Sequence, residues 1–353
     1  MRALAALLIF IAHYPPVLSA PNPLLERAID VVTAELHIGV SIFFTLSGYL
    51  LSRRYFSTLG RHNVGAFLWR RFARIYPLYF LLCSISFLRV YGRPGFPASN
   101  WWPEYLLNIT LLKGFSQRWY LTGIPPAWSL VVEESFYLLL PVLVLLARRF
   151  SLKVWLAVPV ILLASGLLLS LVLRDTGWME SYLFVLQATF FGRAGEFLIG
   201  AAFAQMSATR FPHATSLGLG GMLLALAALV GIHAGFNLSV SIHILPGLLV
   251  NNWVLPLATG LFLHGLAAHQ SGLRTFLSSK PLLVAGYCSY AFYLLHLSFF
   301  SEFVLARLHR HAPSWPPTPV LFLLTMGASL GLYYLVEKPM RLWLLHLFPL
   351  SGR

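Results

Sequence analysis

The chain has 353 residues, of which 58% are apolar and only 10% are charged. Soluble domains carry about 25% charged residues, so this composition excludes a soluble globular protein and indicates an integral membrane protein. The formal net charge is +14, but the basic residues cluster at the ends of apolar runs, which is typical of membrane topology signals and of anionic lipid contacts and does not favour a nucleic-acid partner.

Apolar runs predict about ten transmembrane helices, and therefore an all-α, polytopic membrane bundle. These runs leave no linker and no room for a soluble module. Residues 1–353 are therefore predicted to form one membrane domain, inside which any chemistry takes place. The predicted spans are 3–19, 36–53, 75–91, 128–147, 154–173, 182–205, 215–234, 246–267, 284–305 and 318–336.

The first run, MRALAALLIFIAHY, places Arg2 and His13 on one helix. Eleven residues make three turns plus about 20°, so both side chains lie on one stripe, about 16 Å apart along the axis. A titratable group inside an apolar helix is a functional-site hypothesis. His13 could accept a proton from a hydroxyl or shuttle one. The alternative is a core histidine bonded to a backbone carbonyl.

The second run reads HIGVSIFFTLSGYLLSRR, and Gly39, Ser47 and Gly48 in it allow helices to approach closely. A dense basic segment follows, ending in the run RRFARIYP with Arg70, Arg71 and Arg74. It is interpreted either as a topology anchor on anionic lipid or as a docking surface for a phosphorylated ligand, because arginine forks bind phosphate bidentately.

The loop from about 89 to 127 is rich in aromatic residues. These residues predict either an interfacial aromatic belt or a platform on which sugar rings stack, and the sequence does not decide between the two. They are Tyr91, Trp101, Trp102, Trp119 and Tyr120.

Three later runs carry ionisable residues. Glu133 and Glu134, in WSLVVEESFY, could orient a histidine, act as a base, or form a solvated pair near the interface. Arg193 and Glu196 are three residues apart, as in an intrahelical ion pair. His296 ends SYAFYLLH, where neighbouring tyrosines favour either a polar network or an aromatic packing seam.

Together these segments resemble the acyltransferase-3 family of membrane-bound O-acyltransferases. Each motif is loose alone, but six in this order make the resemblance specific, and it covers essentially the whole chain. Family members usually have several residues before the first arginine, which is residue two here. The motifs are R-x10-H, GVSIFFTLSGYLL, RRFARIYP, WSLVVEESFY, SYAFYLLH and a terminal Y-x-x-x-E-K-P.

The resemblance implies transfer of an acyl group, commonly acetyl, from cytoplasmic acyl-CoA to a hydroxyl of a cell-surface glycan or its lipid-linked precursor, with no metal. It implies that His13 is the catalytic residue, as base or as transient acyl carrier. Further roles follow by the same resemblance: Arg2, Arg70, Arg71 and Arg74 bind the donor, Glu133 or Glu134 assists His13 or the acceptor, and Ser47, Tyr137, Arg193 and His296 give support.

Basic residues at one set of helix ends outnumber those at the other by about two to one. This bias predicts that both termini lie in the cytoplasm. The family resemblance implies a multi-pass protein of a bacterial-type inner membrane. Buried His and Glu residues also suit a proton-coupled transporter, which is the competing interpretation. Such transporters often have paired repeats, and the sequence shows no defensible repeat.

Overall fold

The structure is a computed structural model of the chain, and it describes residues 1–16, 22–59, 64–91, 98–151, 153–207, 211–311 and 317–347. It is 83% helical, and within these ranges no residue lies in a β-strand. The predicted all-α membrane bundle is thereby confirmed.

The helices follow the apolar runs of the sequence closely. The first three lie near the amino terminus, where α2 continues into α3 through the 3-10 turn Leu36–Ile38. Two further turns are π-helical, at Val250–Val254 between α11 and α12 and at Tyr333–Glu337 between α17 and α18. The helices are α1 Arg2–His13, α2 Pro23–Glu35, α3 Gly39–Tyr55, α4 Val64–Val90, α5 Ala98–Ile109, α6 Trp128–Phe150, α7 Val154–Val172, α8 Tyr182–Ala188, α9 Phe190–Ala204, α10 Ala214–Phe236, α11 Leu245–Leu249, α12 Leu255–Ala268, α13 Gly272–Leu277, α14 Lys280–Tyr287, α15 Ser289–Leu295, α16 Phe299–His311, α17 Pro317–Leu332 and α18 Lys338–Leu347.

Among the described residues, six helices are long and apolar enough to cross a membrane, or seven if α15 and α16 count as one bent span. The predicted count of about ten is not confirmed. α1 has only 12 residues, which is too short for a hydrocarbon core of about 30 Å. The sixth predicted span is divided at Thr189, whose backbone is extended, and the ninth bends by 64°. Residues 17–19 of the first predicted span lie outside the described ranges.

Helices α3 and α9 pack closely at the centre of the bundle through paired glycines. A Cβ atom on Gly48 would lie 1.9 Å from the carbonyl oxygen of Phe197, and one on Gly200 would lie 2.0 Å from that of Thr45. A Cβ atom on Gly39 would likewise lie 2.5 Å from the backbone carbonyl oxygen of Ala5 on α1. The predicted close approach at Gly39 and Gly48 is confirmed, and it brings α1, α3 and α9 together around the site.

The segment between α5 and α6 is fixed by a buried lysine. The ammonium group of Lys113 donates to the carbonyl oxygens of Thr122 at 2.6 Å and Ile124 at 2.9 Å. Burial lowers the pKa of Lys113 to about 7, because the charged form loses its hydration. This clamp holds the chain that leads into α6.

The aromatic residues of this region do not form a single surface. Trp101 is buried, stacks on Tyr105 with 5.0 Å between ring centroids, and donates its indole N–H to the carbonyl of Phe87. Trp102 and Tyr91 are instead well exposed. Trp101 is therefore a packing residue, and only its exposed neighbours are available to a membrane interface or to a ligand.

Candidate functional site

Three adjoining cavities run through the bundle. The basic vestibule is bordered by Arg2, Arg71 and Arg74. The central cavity shares Arg2, Ser47, Arg74 and Tyr137 with the vestibule. The histidine cavity, lined by His13, His37, Arg193 and His296, shares Val40 and Tyr293 with the central cavity. Residues that the sequence places far apart therefore line three neighbouring cavities, which share lining residues and extend from Arg2 to His13 along α1.

Only part of the predicted arginine cluster faces these cavities. Arg71 borders the vestibule, and its guanidinium lies against the rings of Tyr55, Phe67 and Tyr137 at 5.8–6.0 Å. Arg74, one turn further along α4, borders both the vestibule and the central cavity. Arg70 borders none of the cavities described here. Helical spacing explains the difference, since consecutive residues point about 100° apart.

Arg2 belongs to the same cluster. It lies within electrostatic range of Arg71, Arg74, Glu133 and Tyr137, and it is half-buried. Several positive charges crowded at a buried cavity repel one another unless an anion balances them. The cluster therefore has the charge and the geometry to bind an anionic ligand.

The adjacent acids Glu133 and Glu134 separate in the structure. Glu133 lines the central cavity, where its carboxylate accepts hydrogen bonds from the hydroxyl of Ser47 at 3.0 Å and from the hydroxyl of Tyr137. Glu134 borders none of the described cavities. Of the pair, only Glu133 can meet a ligand there, together with its partners Ser47 and Tyr137.

His13 is the last residue of α1, and its ring lines the histidine cavity. Its Nδ1 lies 2.9 Å from the carbonyl oxygen of Ile9. Since a carbonyl only accepts, Nδ1 carries the proton, and in the neutral ring Nε2 carries the lone pair. The ring is thus oriented with a basic nitrogen available, as a general base requires. His13 therefore makes the hydrogen bond to a backbone carbonyl that is expected of a core histidine, and it also lines a cavity.

His296 faces the same cavity. Its ring centroid lies 5.2 Å from that of His13, and its Nδ1 donates to the carbonyl of Tyr293 at 2.7 Å. The ring is buried, and Nε2 has no hydrogen-bond partner in the described part of the chain. Tyr293 in turn shares a hydrogen bond of 2.8 Å with Ser129 on α6. Of the tyrosines near His296, Tyr293 takes part in a polar network through its backbone carbonyl and its hydroxyl, whereas Tyr287 stacks on the ring of Tyr333.

Arg193 and Glu196 form the predicted ion pair, with 2.9 Å between Nε and Oε1. Both side chains are buried. The hydroxyl of Ser41 donates to Glu196 at 3.0 Å, and the guanidinium lies over the rings of Phe44 and Trp128. Arg193 also lines the histidine cavity. The ion pair with Glu196 therefore does more than make a buried arginine tolerable in a membrane, because it also keeps a cation in the cavity that His13 lines.

Not every predicted partnership occurs. Glu133 lines the central cavity whereas His13 lines the histidine cavity, and no contact joins them in the described structure. Within the described residues, no group of three His, Cys, Asp or Glu side chains is arranged to hold a metal ion.

A second polar cluster was not predicted from the sequence. The carboxylate of Glu35 is fully buried and contacts His233, Ser241 and His37. The sequence did contain a signal for this cluster, because Glu35 and His37 are two residues apart within an apolar segment. Ionisable residues in such a segment are candidate functional residues, as argued above for His13. Their partners on α10 and beyond could not be known from local sequence.

Six or seven helices long and apolar enough to cross a membrane, among the described residues, together with polar cavities inside the bundle, define a multi-pass membrane protein. The profile of the family described as "Acyltransferase domain" matches residues 1–334. The chain therefore belongs to the acyltransferase-3 family, as its motifs indicate.

The curated relatives that the chain resembles are named as acyltransferases or O-acetyltransferases. The chain is 28% identical to the O-acetyltransferase OatA of Staphylococcus aureus over 73% of this chain and 45% of that protein. It is 30% identical to the acyltransferase MdmB of Streptomyces mycarofaciens over 43% of this chain and 40% of that protein. It is 29% identical to the peptidoglycan O-acetyltransferase OatA of Listeria monocytogenes over 40% of this chain and 24% of that protein. The matched region thus spans less than half of each relative. No solved structure matches the chain.

Proposed function

We propose that this protein transfers an acetyl group from acetyl-CoA to a hydroxyl of a cell-surface glycan. The observation that carries the proposal is the series of neighbouring cavities from the basic vestibule, past Arg2 and Arg74, to the histidine cavity. Relatives named as O-acetyltransferases, one of them acting on peptidoglycan, supply the acyl group and the acceptor class.

Arg2, Arg71 and Arg74 would bind the phosphates of the donor. Coenzyme A carries several phosphate groups, and a cluster of arginines meets such a ligand with charge-assisted, bidentate hydrogen bonds. Its extended pantetheine arm then has a cavity to follow toward His13, about 16 Å along α1 at 1.5 Å per residue. Glu133 would position Arg2 and Tyr137 at the point where the arm enters.

His13 would act at the acyl group. With its Nδ1–H held by Ile9, Nε2 can remove the proton of an acceptor hydroxyl or carry the acyl group transiently. Arg193, kept beside it by Glu196, would stabilise the negative charge that develops on the carbonyl oxygen as the thioester is attacked. His296 would support the ring of His13, which it meets edge to face with 5.2 Å between the ring centroids.

The basic vestibule would face the cytoplasm, because acyl-CoA is cytoplasmic and positive charge accumulates on that side. Both termini would then lie inside, in the inner membrane of a bacterial-type cell. A donor and an acceptor reaching one site from opposite faces would remove any need for the whole glycan to cross the membrane.

The decisive experiment measures O-acetyl groups on surface glycans by mass spectrometry, in cells that contain or lack this chain. Membranes from the same cells are assayed for acetyl-CoA consumption. Acetylation that depends on the chain supports the proposal. Unchanged glycans together with unchanged acetyl-CoA consumption would contradict it. A proton-coupled transporter would instead move a solute only with a proton gradient, and acetyl-CoA consumption without any gradient excludes that alternative.

A further inference from the structure

The histidine cavity contains an imidazole with a carboxylate partner, and it is not His13. His37 lines the cavity together with His13 and Arg193. Its Nδ1 lies 3.1 Å from the carbonyl of Ala34 and 3.8 Å from Oε2 of Glu35. Among the described residues, His13 has no carboxylate in ion-pair contact. The two imidazoles therefore differ in what stabilises them once they are protonated.

Glu35 is held in place by hydrogen-bond donors. Its Oε1 accepts from the backbone N–H of Ser241 at 2.8 Å and from Nδ1 of His233 at 2.8 Å, and its Oε2 accepts from the hydroxyl of Ser241 at 2.6 Å. All of these partners donate, which suits an ionised carboxylate. They come from α10 and the segment after it, so the negative charge has a fixed place behind His37.

His37 also has an unused nitrogen. Because Nδ1 donates to the carbonyl of Ala34, Nε2 of the neutral ring carries the lone pair. Nε2 is buried and has no hydrogen-bond partner in the described structure. A buried polar atom without a partner costs about 1–3 kcal/mol, and beside a cavity it points to a ligand that supplies the missing hydrogen.

We propose that His37, backed by Glu35, is the catalytic base that takes the proton of the acceptor hydroxyl. This inference rests on the proposed acyl transfer and assigns within it a step that the shared motifs do not assign. Glu35 is a positioning residue that stabilises the imidazolium, as a buried aspartate does behind the histidine of serine proteases. His13 then remains free to act at the acyl group.

The proposed step moves one proton, one acyl group and one electron pair. The hydroxyl gives its proton to Nε2 of His37 while its oxygen forms a bond to the acyl carbon. The bond between that carbon and the sulfur of CoA breaks, and the sulfur keeps the electron pair. The proton held by His37 is then returned to the sulfur. The charged groups facing His37 are Glu35, Arg193 and His13, and the charge of Arg193 is balanced by Glu196.

The test compares two acceptors in cells and membranes carrying His37→Gln or Glu35→Gln. The first readout is the O-acetyl content of surface glycans by mass spectrometry. The second is acetohydroxamate formed by membranes from acetyl-CoA and hydroxylamine, corrected for the protein-free rate. Hydroxylamine attacks without losing a proton first, so it needs no base. His243→Gln, at an exposed histidine of the same segment as Ser241, is the matched control.

We expect His37→Gln to reduce glycan acetylation by about 10²-fold or more, the usual contribution of a general base, and hydroxamate formation by less than about threefold. Glu35→Gln, which keeps the shape of the side chain, should show the same asymmetry with a smaller loss. Equal losses with both acceptors in Glu35→Gln, or unchanged glycan acetylation in His37→Gln, would overturn the inference. If the unmodified protein acetylates neither acceptor, the proposed function itself fails.

Discussion

The rings of His13 and His296 lie 5.2 Å apart and meet edge to face at 71°. The first belongs to the R-x10-H motif on α1 and the second to SYAFYLLH, which begins α15 and ends at its bend into α16. Two motifs from opposite ends of the chain therefore build one cavity. Around this pair, each proposed role has a consequence that can be measured.

Replacing His13 should abolish transfer. His13→Ala removes the exposed basic nitrogen that we place at the acyl group, and we expect glycan acetylation to fall by about 10²-fold or more. Mass spectrometry of surface glycans measures the effect. His309→Ala, an exposed histidine on α16, should leave acetylation unchanged. Normal acetylation in His13→Ala would contradict its catalytic role.

The two adjacent acids should differ. Glu133→Gln loses the charge that Ser47 and Tyr137 bind in the central cavity, so we expect about a 10-fold to 100-fold loss of kcat/KM for acetyl-CoA, which is the range of a disturbed hydrogen-bonded charge. Glu134→Gln should have a clearly smaller effect, because this side chain borders none of the described cavities. Steady-state kinetics in membranes distinguishes them. A larger loss in Glu134→Gln would reverse the assignment.

The arginines of α4 should differ in the same way. Arg71→Ala and Arg74→Ala should each raise the KM for acetyl-CoA about tenfold or more, because a lost phosphate contact costs about 1.5–3 kcal/mol. Arg70→Ala is the control, as it carries the same charge on the same helix and faces none of the cavities. Equal KM values in all three variants would show that the cluster only anchors the helix.

The close contact between α3 and α9 should not tolerate a side chain at Gly48. In Gly48→Ala the new Cβ atom would lie 1.9 Å from a backbone oxygen, a clash that rotation of a side chain cannot relieve. Overpacking of this kind costs about 1–3 kcal/mol, so the melting temperature in detergent should fall by several degrees. Gly231→Ala, where nothing lies within 4 Å, should melt like the parent or slightly higher, because alanine favours the helix.

The lysine clamp gives stability a pH dependence. The pKa of Lys113 is lowered to about 7 in the folded protein, against an unfolded value of about 10.4. Between these values the unfolded chain binds more protons than the folded one, so stability rises with pH. The neutral amine still has two N–H groups for the two carbonyls it meets.

Melting temperatures at pH 7 and pH 9 test this prediction. Raising the pH should stabilise the parent protein more than Lys113→Met, which has no proton to lose. The comparison of the two pH responses removes contributions from other groups. An identical response in both proteins would show that Lys113 does not titrate in this range.

The fold class of the protein and the positions of its helices could be predicted from the sequence. In the described part of the chain each of the ten predicted runs contains helix, because a chain in lipid must satisfy its backbone hydrogen bonds internally. The number of full spans could not be obtained in this way. Whether α1 stops at His13, or α15 bends into α16, depends on turns and packing partners that a hydrophobicity pattern does not contain.

Sequence motifs contain Glu133, Arg193 and His296, and these side chains line cavities in the structure. Tertiary structure alone decided that Glu133 faces the central cavity while Glu134 does not, and that Glu35 lies behind His37. The physical reason is that spacing along a helix fixes the direction of a side chain relative to its neighbours, whereas its partner is set by helices that arrive from elsewhere in the chain.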